Sequence, residues 1–304
     1  MNKIQQIKTI ALTAIAPIVW GSTYIVTTEA LPPESPLIAS TIRALPAGVL
    51  LVLISRTWPT GLWWLRMAVL GFLNIGLFFY CLFFAATYLP GGMASMVMSI
   101  QPVIVMIMSW YLLSTRFTSQ QLTACGIGIL GVGLLVLNSS VVLNIEGVLI
   151  AIIGTLSMGL GVVLTKKWGR PTGMTMLGFT GWQLLFGGIM LLPVSLGLEG
   201  FPTPLTSINY LGYGYLSLIG AILGYFLWFR GIEKLPPLTV SFIGFLSSIS
   251  ACFLGYLILN QTLNWSQLLG ALAILFSIVL AAPRSSVQTN QPSTTASDCK
   301  KKLV

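Results

Sequence analysis

The chain has 304 residues, of which 56% are hydrophobic and 7% charged, with a formal net charge of +9 and no histidine. Soluble domains carry about 25% charged residues, so a water-soluble fold is excluded. In a soluble protein the positive charge would point to nucleic acid; here it reads as a topology signal beside an anionic leaflet, and no nucleic-acid partner is expected.

Ten apolar segments of helix-spanning length lie at Thr9–Thr28, Pro36–Ser55, Trp64–Ala86, Gly92–Leu113, Gln120–Asn138, Ile145–Thr165, Met174–Leu196, Tyr210–Gly231, Pro237–Leu259 and Trp265–Ala282. About 20 apolar residues cross a bilayer core as a helix. The first segment follows Lys3 and Lys8 but runs well past the 7–15 apolar residues usual in a signal peptide, so it is expected to be a retained helix. The second carries Arg43, about 7 residues after Pro36 and so roughly 10 Å along the helix. Every other Lys and Arg falls at the N-terminus, the tail, or the second-to-third, fourth-to-fifth, sixth-to-seventh and eighth-to-ninth connections, with Arg66 and Arg230 just inside the adjoining segments. The opposite connections hold none. The positive-inside rule then places both termini in the cytoplasm, with the chain multi-pass in the cytoplasmic (inner) membrane and the lipid bilayer as its solvent. Residues 284–304 are rich in Ser, Thr, Gln and Pro and read as a disordered cytoplasmic tail.

Two halves of this chain resemble each other. Gln121-Leu122 opens the fifth segment as Gln267-Leu268 opens the tenth. The same offset pairs Ser95 with Ser241, Pro102 with Ser248 and Trp110 with Tyr256, while Tyr80 pairs with Tyr225. Five is odd, so two copies in one membrane must have opposite orientation. The expected fold is an all-α polytopic membrane protein of ten transmembrane helices, arranged as two inverted five-helix repeats over residues 1–138 and 139–283. That architecture belongs to secondary transporters, whose substrate site lies near the midplane between the halves.

Arg43 is the sharpest functional candidate, because an ionised side chain within a span is costly and marks function by default. One reading makes it a bidentate contact for a substrate carboxylate or phosphate. Two others have it snorkel outward or pair with Glu29 or Glu34 of the adjoining loop. Ser95, Ser99, Pro102, Met106 and Ser109 share one face of the fourth segment. Their partners Ser241, Phe245, Ser248, Cys252 and Gly255 share one face of the ninth. Small residues on these faces suit either a cavity or close packing. Trp20, Tyr80, Tyr225 and Trp228 would complete an aromatic pocket. Trp63, Trp64, Trp265 and Tyr210 lie near segment ends, as interfacial anchors do. Gly126, Gly128, Gly131 and Gly133 of the fifth segment form a close-packing face and a candidate homodimer contact. Cys81, Cys125 and Cys252 read as packing residues, and Cys299 lies in the tail.

No Asp, Glu or His lies deep in a span, so neither a proton relay nor an intramembrane hydrolase has the groups it needs. No metal-ligand spacing exists. The chain is therefore expected to be no enzyme and to take neither metal nor cofactor; a small-molecule substrate remains as its partner.

On Trp20-Gly21-Ser22, Arg43, Tyr80 through Leu89-Pro90, Pro102, Gln183 and the two Gln-Leu starts, the chain resembles the drug/metabolite transporter superfamily, in particular its ten-helix EamA-type exporters. The resemblance covers roughly Ile7 to Ala282. It implies alternating-access export of a small metabolite, an amino acid or a related compound. It also marks Gln183 as the second-repeat residue of helix two. The alternatives are import or exchange of a carboxylate or phosphate compound, and a non-transporting membrane protein. Members of the family commonly end helices four and nine with Gly-Glu; this chain has Ser114-Thr115 and Asn260-Gln261 there.

Overall fold

The computed structural model describes residues 3–32, 35–88, 97–136, 144–201, 204–258 and 264–281, and these are all helix or connection. Seven helices are long and apolar enough to cross a membrane: α1 (Ile4–Ala30), α2 (Pro36–Ser55), α3 (Trp63–Ala85), α6 (Ile145–Trp168), α7 (Met176–Leu198), α8 (Ser207–Lys234) and α9 (Pro237–Ile258). Three shorter apolar helices complete the described set: α4 (Gln101–Leu113), α5 (Ser119–Leu135) and α10 (Trp265–Ala281). Ser95, Glu34, Leu89-Pro90, Asn260-Gln261, the expected repeat boundary after residue 138 and the tail lie outside the described residues. Exposed Leu53, Leu130, Leu211 and Val279 face outward, as a hydrocarbon solvent allows.

The helix ends follow from local chemistry. Pro36 and Pro237 open α2 and α9 at first-turn positions, where a missing N–H costs nothing. Asn144 and Thr175 cap α6 and α7 by accepting from the N–H groups of Gly147 and Gly178. The start of α2 is capped from a distance. Both carboxylate oxygens of Glu199, just after α7, accept from the Leu37 and Ile38 N–H groups at 2.9 and 2.8 Å. An anion there also complements the positive end of the helix dipole.

Helix α4 ends in a left-handed turn at Ser114 (φ 54°), and the Thr115 N–H reaches back to the Ser109 carbonyl at 3.3 Å. A Cβ is disfavoured in that conformation, which is why glycine usually fills it. Ser114→Gly is expected to stabilise the protein by up to about 1 kcal/mol, read as a higher midpoint in a thermal-unfolding scan of the detergent-solubilised chain. An unchanged or lower midpoint would contradict the strain.

Helix packing pairs α2 with α7 and α5 with α10, and sets the second half of α3 against α6. Glycines let these backbones touch. A Cβ on Gly48 would meet the Leu185 backbone N at 2.3 Å, and one on Gly188 the Leu45 Cα at 2.7 Å. Gly131 and Gly270 face each other: a Cβ on either would come within 2.9 Å or less of the other's carbonyl oxygen. Of the fifth-segment glycines, Gly128 and Gly131 are thus used inside the chain, against α9 and α10, while nothing stands within 4 Å of a Cβ on Gly126.

Both α3 and α8 contain π-helical turns, at Phe72–Gly76 and Leu216–Leu223. Each receives a buried polar side chain from the long helix it packs on. Asn74 of the first donates to Gln183 of α7 at 2.9 Å and to Thr165 of α6 at 3.2 Å. Gly220 of the second accepts from Arg43 of α2 at 3.2 Å. The main core lies among α1, α2, α3, α6, α7, α8 and the start of α9, and a second among α4, α5, α9 and α10.

Candidate functional site

Between these two cores lies a cavity of about 760 Å³, bounded by α1, α2, α3, α6, α8, α9 and the residues leading into α4. That is the size range of small-molecule sites. It extends from the connection between α1 and α2, at Leu31, Pro32, Ser35 and Pro36, down to Trp20, Tyr225 and Trp228.

The π turn of α8 builds one wall. In an α-helix the Gly220 carbonyl would accept from the Gly224 N–H. Here that N–H turns to the carbonyls of Ile219 and Ala221. The Gly220 oxygen instead accepts from Trp20 Nε1 at 2.9 Å and Arg43 Nη2 at 3.2 Å. One surplus turn thus fixes an indole and a guanidinium together, in line with the tendency of π turns to mark functional sites. Gly224 permits the approach, since a Cβ there would lie 2.6 Å from Trp20 Nε1. The Trp20 ring then packs on Tyr225 and Trp228 at centroid distances of 5.0 and 5.1 Å.

Arg43 is buried, with 4% of its surface exposed. Its Nη1 reaches Thr23 Oγ1 at 3.5 Å, and its Cζ stands 5.1 Å over the Phe79 ring. It therefore turns inward rather than snorkelling. Of its two acidic candidates, Glu29 is exposed near the end of α1, and Glu34 lies outside the described residues.

Seven of the sequence candidates line this cavity: Trp20, Arg43, Ser99, Tyr225, Trp228, Phe245 and Ser248. Four lie elsewhere. Tyr80 stacks on Phe84 at 5.4 Å. Pro102 is buried at the start of α4. Ser241 is buried and donates to the Leu238 carbonyl at 2.7 Å. Gln183 is fully buried in its contact with Asn74. The sequence reading missed Thr23, Thr27, Phe79, Gln101, Thr155 and Ser247, all of which line the cavity. Trp20, Thr23, Thr27 and Leu31 follow a helical stripe, a signal that was available. Among the described residues, no group of three His, Cys, Asp or Glu side chains comes together as a metal site would require.

Comparison with known proteins agrees with this architecture. A profile described as the EamA-like transporter family matches residues 7–137 and again residues 145–282. The chain is 48% identical over 265 residues to Protein PecM of Dickeya dadantii, covering 87% of this chain and 89% of that one. It is 25% identical over 205 residues to a probable amino-acid metabolite efflux pump of Salmonella typhimurium, covering 63% of this chain and 67% of that protein. A chain from a crystal structure shares the fold, with a TM-score of 0.77 at 12% identity over 91% of this chain and 97% of that one. The sequence matches, the seven long apolar helices and the cavity agree on one conclusion: this chain is a multi-pass membrane transporter and belongs to the EamA-like transporter family.

Proposed function

We propose that the protein exports a small organic metabolite across the cytoplasmic membrane by alternating access. In this reading it has ten spans in two inverted five-helix repeats, both termini are cytoplasmic, and the cavity beside Arg43 is the substrate site. The cavity is the observation that carries this: a partly aromatic chamber lined from both halves of the chain, with one cation, Arg43, among its described lining residues. Four further points support it. The family profile matches twice, once on each half. Arg43 of α2 and Gln183 of α7 each contact a π turn, Arg43 at Gly220 and Gln183 at Asn74, as repeat-related helices would. One relative carries the name of an efflux pump. The cavity also reaches the connection between α1 and α2, which holds no Lys or Arg and so lies outside under the positive-inside rule.

The test is solute flux in proteoliposomes reconstituted with the full chain. Saturable release of a metabolite from a panel of carboxylates, amino acids and neutral aromatics is expected. No flux above empty liposomes for any of them would sink the transport reading.

Two expected results accompany it. A reporter fused at Gly169 should report the cytoplasm and one at Gly200 the outside; an outside signal at Gly169 would overturn the span map. Flux should also change little between about pH 6 and 8, because the chain has no histidine and no acidic residue deep in a span. A steep loss in that window, with the fold intact, would reveal a titrating group that the residues do not explain.

A further inference from the structure

The helix ends put the two halves in a common register. Setting Ala30, the last residue of α1, on Trp168, the last of α6, also sets Gly21 on Gly159. Setting Pro36, the first residue of α2, on Met176, the first of α7, also sets Arg43 on Gln183. In this register a second, small pocket of about 80 Å³ repeats the mouth of the large cavity. Thr165, Lys166, Gly169, Arg170, Met176 and Phe179 line the pocket. Their counterparts Thr27, Thr28, Leu31, Pro32, Pro36 and Ala39 all line the cavity. The two openings lie at opposite ends of the α2–α7 pair. Glu199 at the end of α7 caps the start of α2, while Trp182 Nε1, near the start of α7, donates to the Thr57 carbonyl past the end of α2 at 2.8 Å. An inverted repeat puts the second mouth of a two-mouthed path there.

The contact that closes this end comes from the last turn of α8. Glu233 lines the pocket with its Oε1 3.1 Å from Arg170 Nε, and its main-chain carbonyl accepts from Lys166 Nζ at 2.7 Å. Both side chains of the ion pair are 34% exposed. Such a pair is weak, which suits a contact that breaks and reforms. The two mouths also differ in charge. The cavity carries Thr28 and Pro32 where the pocket carries Lys166 and Arg170. With Glu233 withdrawn, these two cations would have no carboxylate among the described residues of the pocket. A rim of one sign raises the local concentration of the opposite charge.

We infer that this pocket is the closed cytoplasmic mouth of the transport path, that Glu233 is its latch, and that Lys166 and Arg170 receive an anionic solute when it opens. The inference rests on the export reading, in which solute loads from this side. It adds a chemistry to that direction: an anion is gathered at the charged mouth and leaves past Thr28 and Pro32.

Two cysteine reporters test it, Thr165→Cys in the pocket and Thr27→Cys at its counterpart, with Met176→Cys as a second reporter in the pocket. Each is placed in the full chain with Cys299→Ser, in sealed vesicles of known orientation. One face is then exposed to an anionic (sulfonatoethyl) or a cationic (trimethylammonioethyl) methanethiosulfonate. Glu233→Gln should raise labelling of Thr165→Cys from the cytoplasmic face at least about 2-fold. Labelling of Thr27→Cys from the outer face should fall at the same time, since a shifted equilibrium opens one mouth at the expense of the other. In Glu233→Gln the anionic reagent should label Thr165→Cys about 3-fold or more faster than the cationic one, after correction for the rate of each with a free thiol. Adding Lys166→Gln and Arg170→Gln should abolish that preference. An unchanged rate at Thr165→Cys, a rise there without the fall at Thr27→Cys, or no preference for the anionic reagent would overturn the inference. The expected labelling without flux of any solute would sink the exporter and leave the latch and its cations standing. Flux without the labelling pattern would do the reverse.

Discussion

Arg43→Ala is expected to reduce transport of a carboxylate substrate by about 30-fold or more, with the folded protein recovered in normal yield. The estimate takes the 2–5 kcal/mol typical of truncating one partner of a buried hydrogen-bonded charge pair. Folding is spared because the Gly220 carbonyl keeps its 2.9 Å bond from Trp20. Arg43→Lys is the discriminating variant. The guanidinium reaches Gly220, Thr23 and the Phe79 face at once, and an ammonium on a flexible stem lacks the planar fork to do so. Lysine should therefore transport almost as poorly as alanine. Paired flux of a carboxylate and its amide checks the role: the parent should prefer the carboxylate, and Arg43→Ala should not. Full activity of Arg43→Ala on both compounds would remove Arg43 from the mechanism.

The second large effect is on folding. Gly48→Leu should lower stability by at least about 3 kcal/mol, the upper end of ordinary overpacking costs. The obstruction is backbone: even the first carbon would sit 2.3 Å from the Leu185 N. No rotamer of a neighbour can relieve that, so α2 and α7 must separate and loosen the contacts that hold Arg43 inward. Gly270→Leu should behave alike, since its Cβ would meet the Gly131 oxygen at 2.5 Å. Gly126→Ala and Gly197→Ala provide the control, because nothing lies within 4 Å of a Cβ at either site. They should be neutral or gain a few tenths of a kcal/mol from helix propensity. Size-exclusion profiles after graded heating would read all four. A Gly48→Leu protein as heat-resistant as Gly126→Ala would refute the packing.

Membrane helices announce themselves by length and composition, so the long spans from α1 to α9 were readable with errors of a few residues at their ends. Arg43 was equally readable, because a charge in an apolar run has a solvation cost whatever surrounds it. Serine and aromatic stripes were less informative. Spacing identifies a face but not what the face meets. Phe245 and Ser248 face the cavity, while Ser241, on the same stripe of α9, turns to the Leu238 carbonyl. Tyr80 and Tyr225 are sequence partners, yet only Tyr225 lines the cavity, while Tyr80 stacks on Phe84. The π turns left no mark in composition, and neither did the distant capping of α2 by Glu199. Both depend on what another helix brings near.

The surplus turn at Leu216–Leu223 also makes α8 unusually forgiving of one kind of genetic change. A residue lost from a regular helix rotates everything after it by roughly 100°. A residue lost from a π turn lets the turn close to α geometry while both flanks keep their facing. A single-codon deletion at residue 216, 217, 218 or 219 would thus leave Tyr225 and Trp228 pointing as they do. It would withdraw the Gly220 oxygen from Trp20 and Arg43 by returning it to the Gly224 N–H. Such a shortened chain separates what the aromatic wall does from what its backbone anchor does, a distinction that no side-chain substitution at Gly220 can draw.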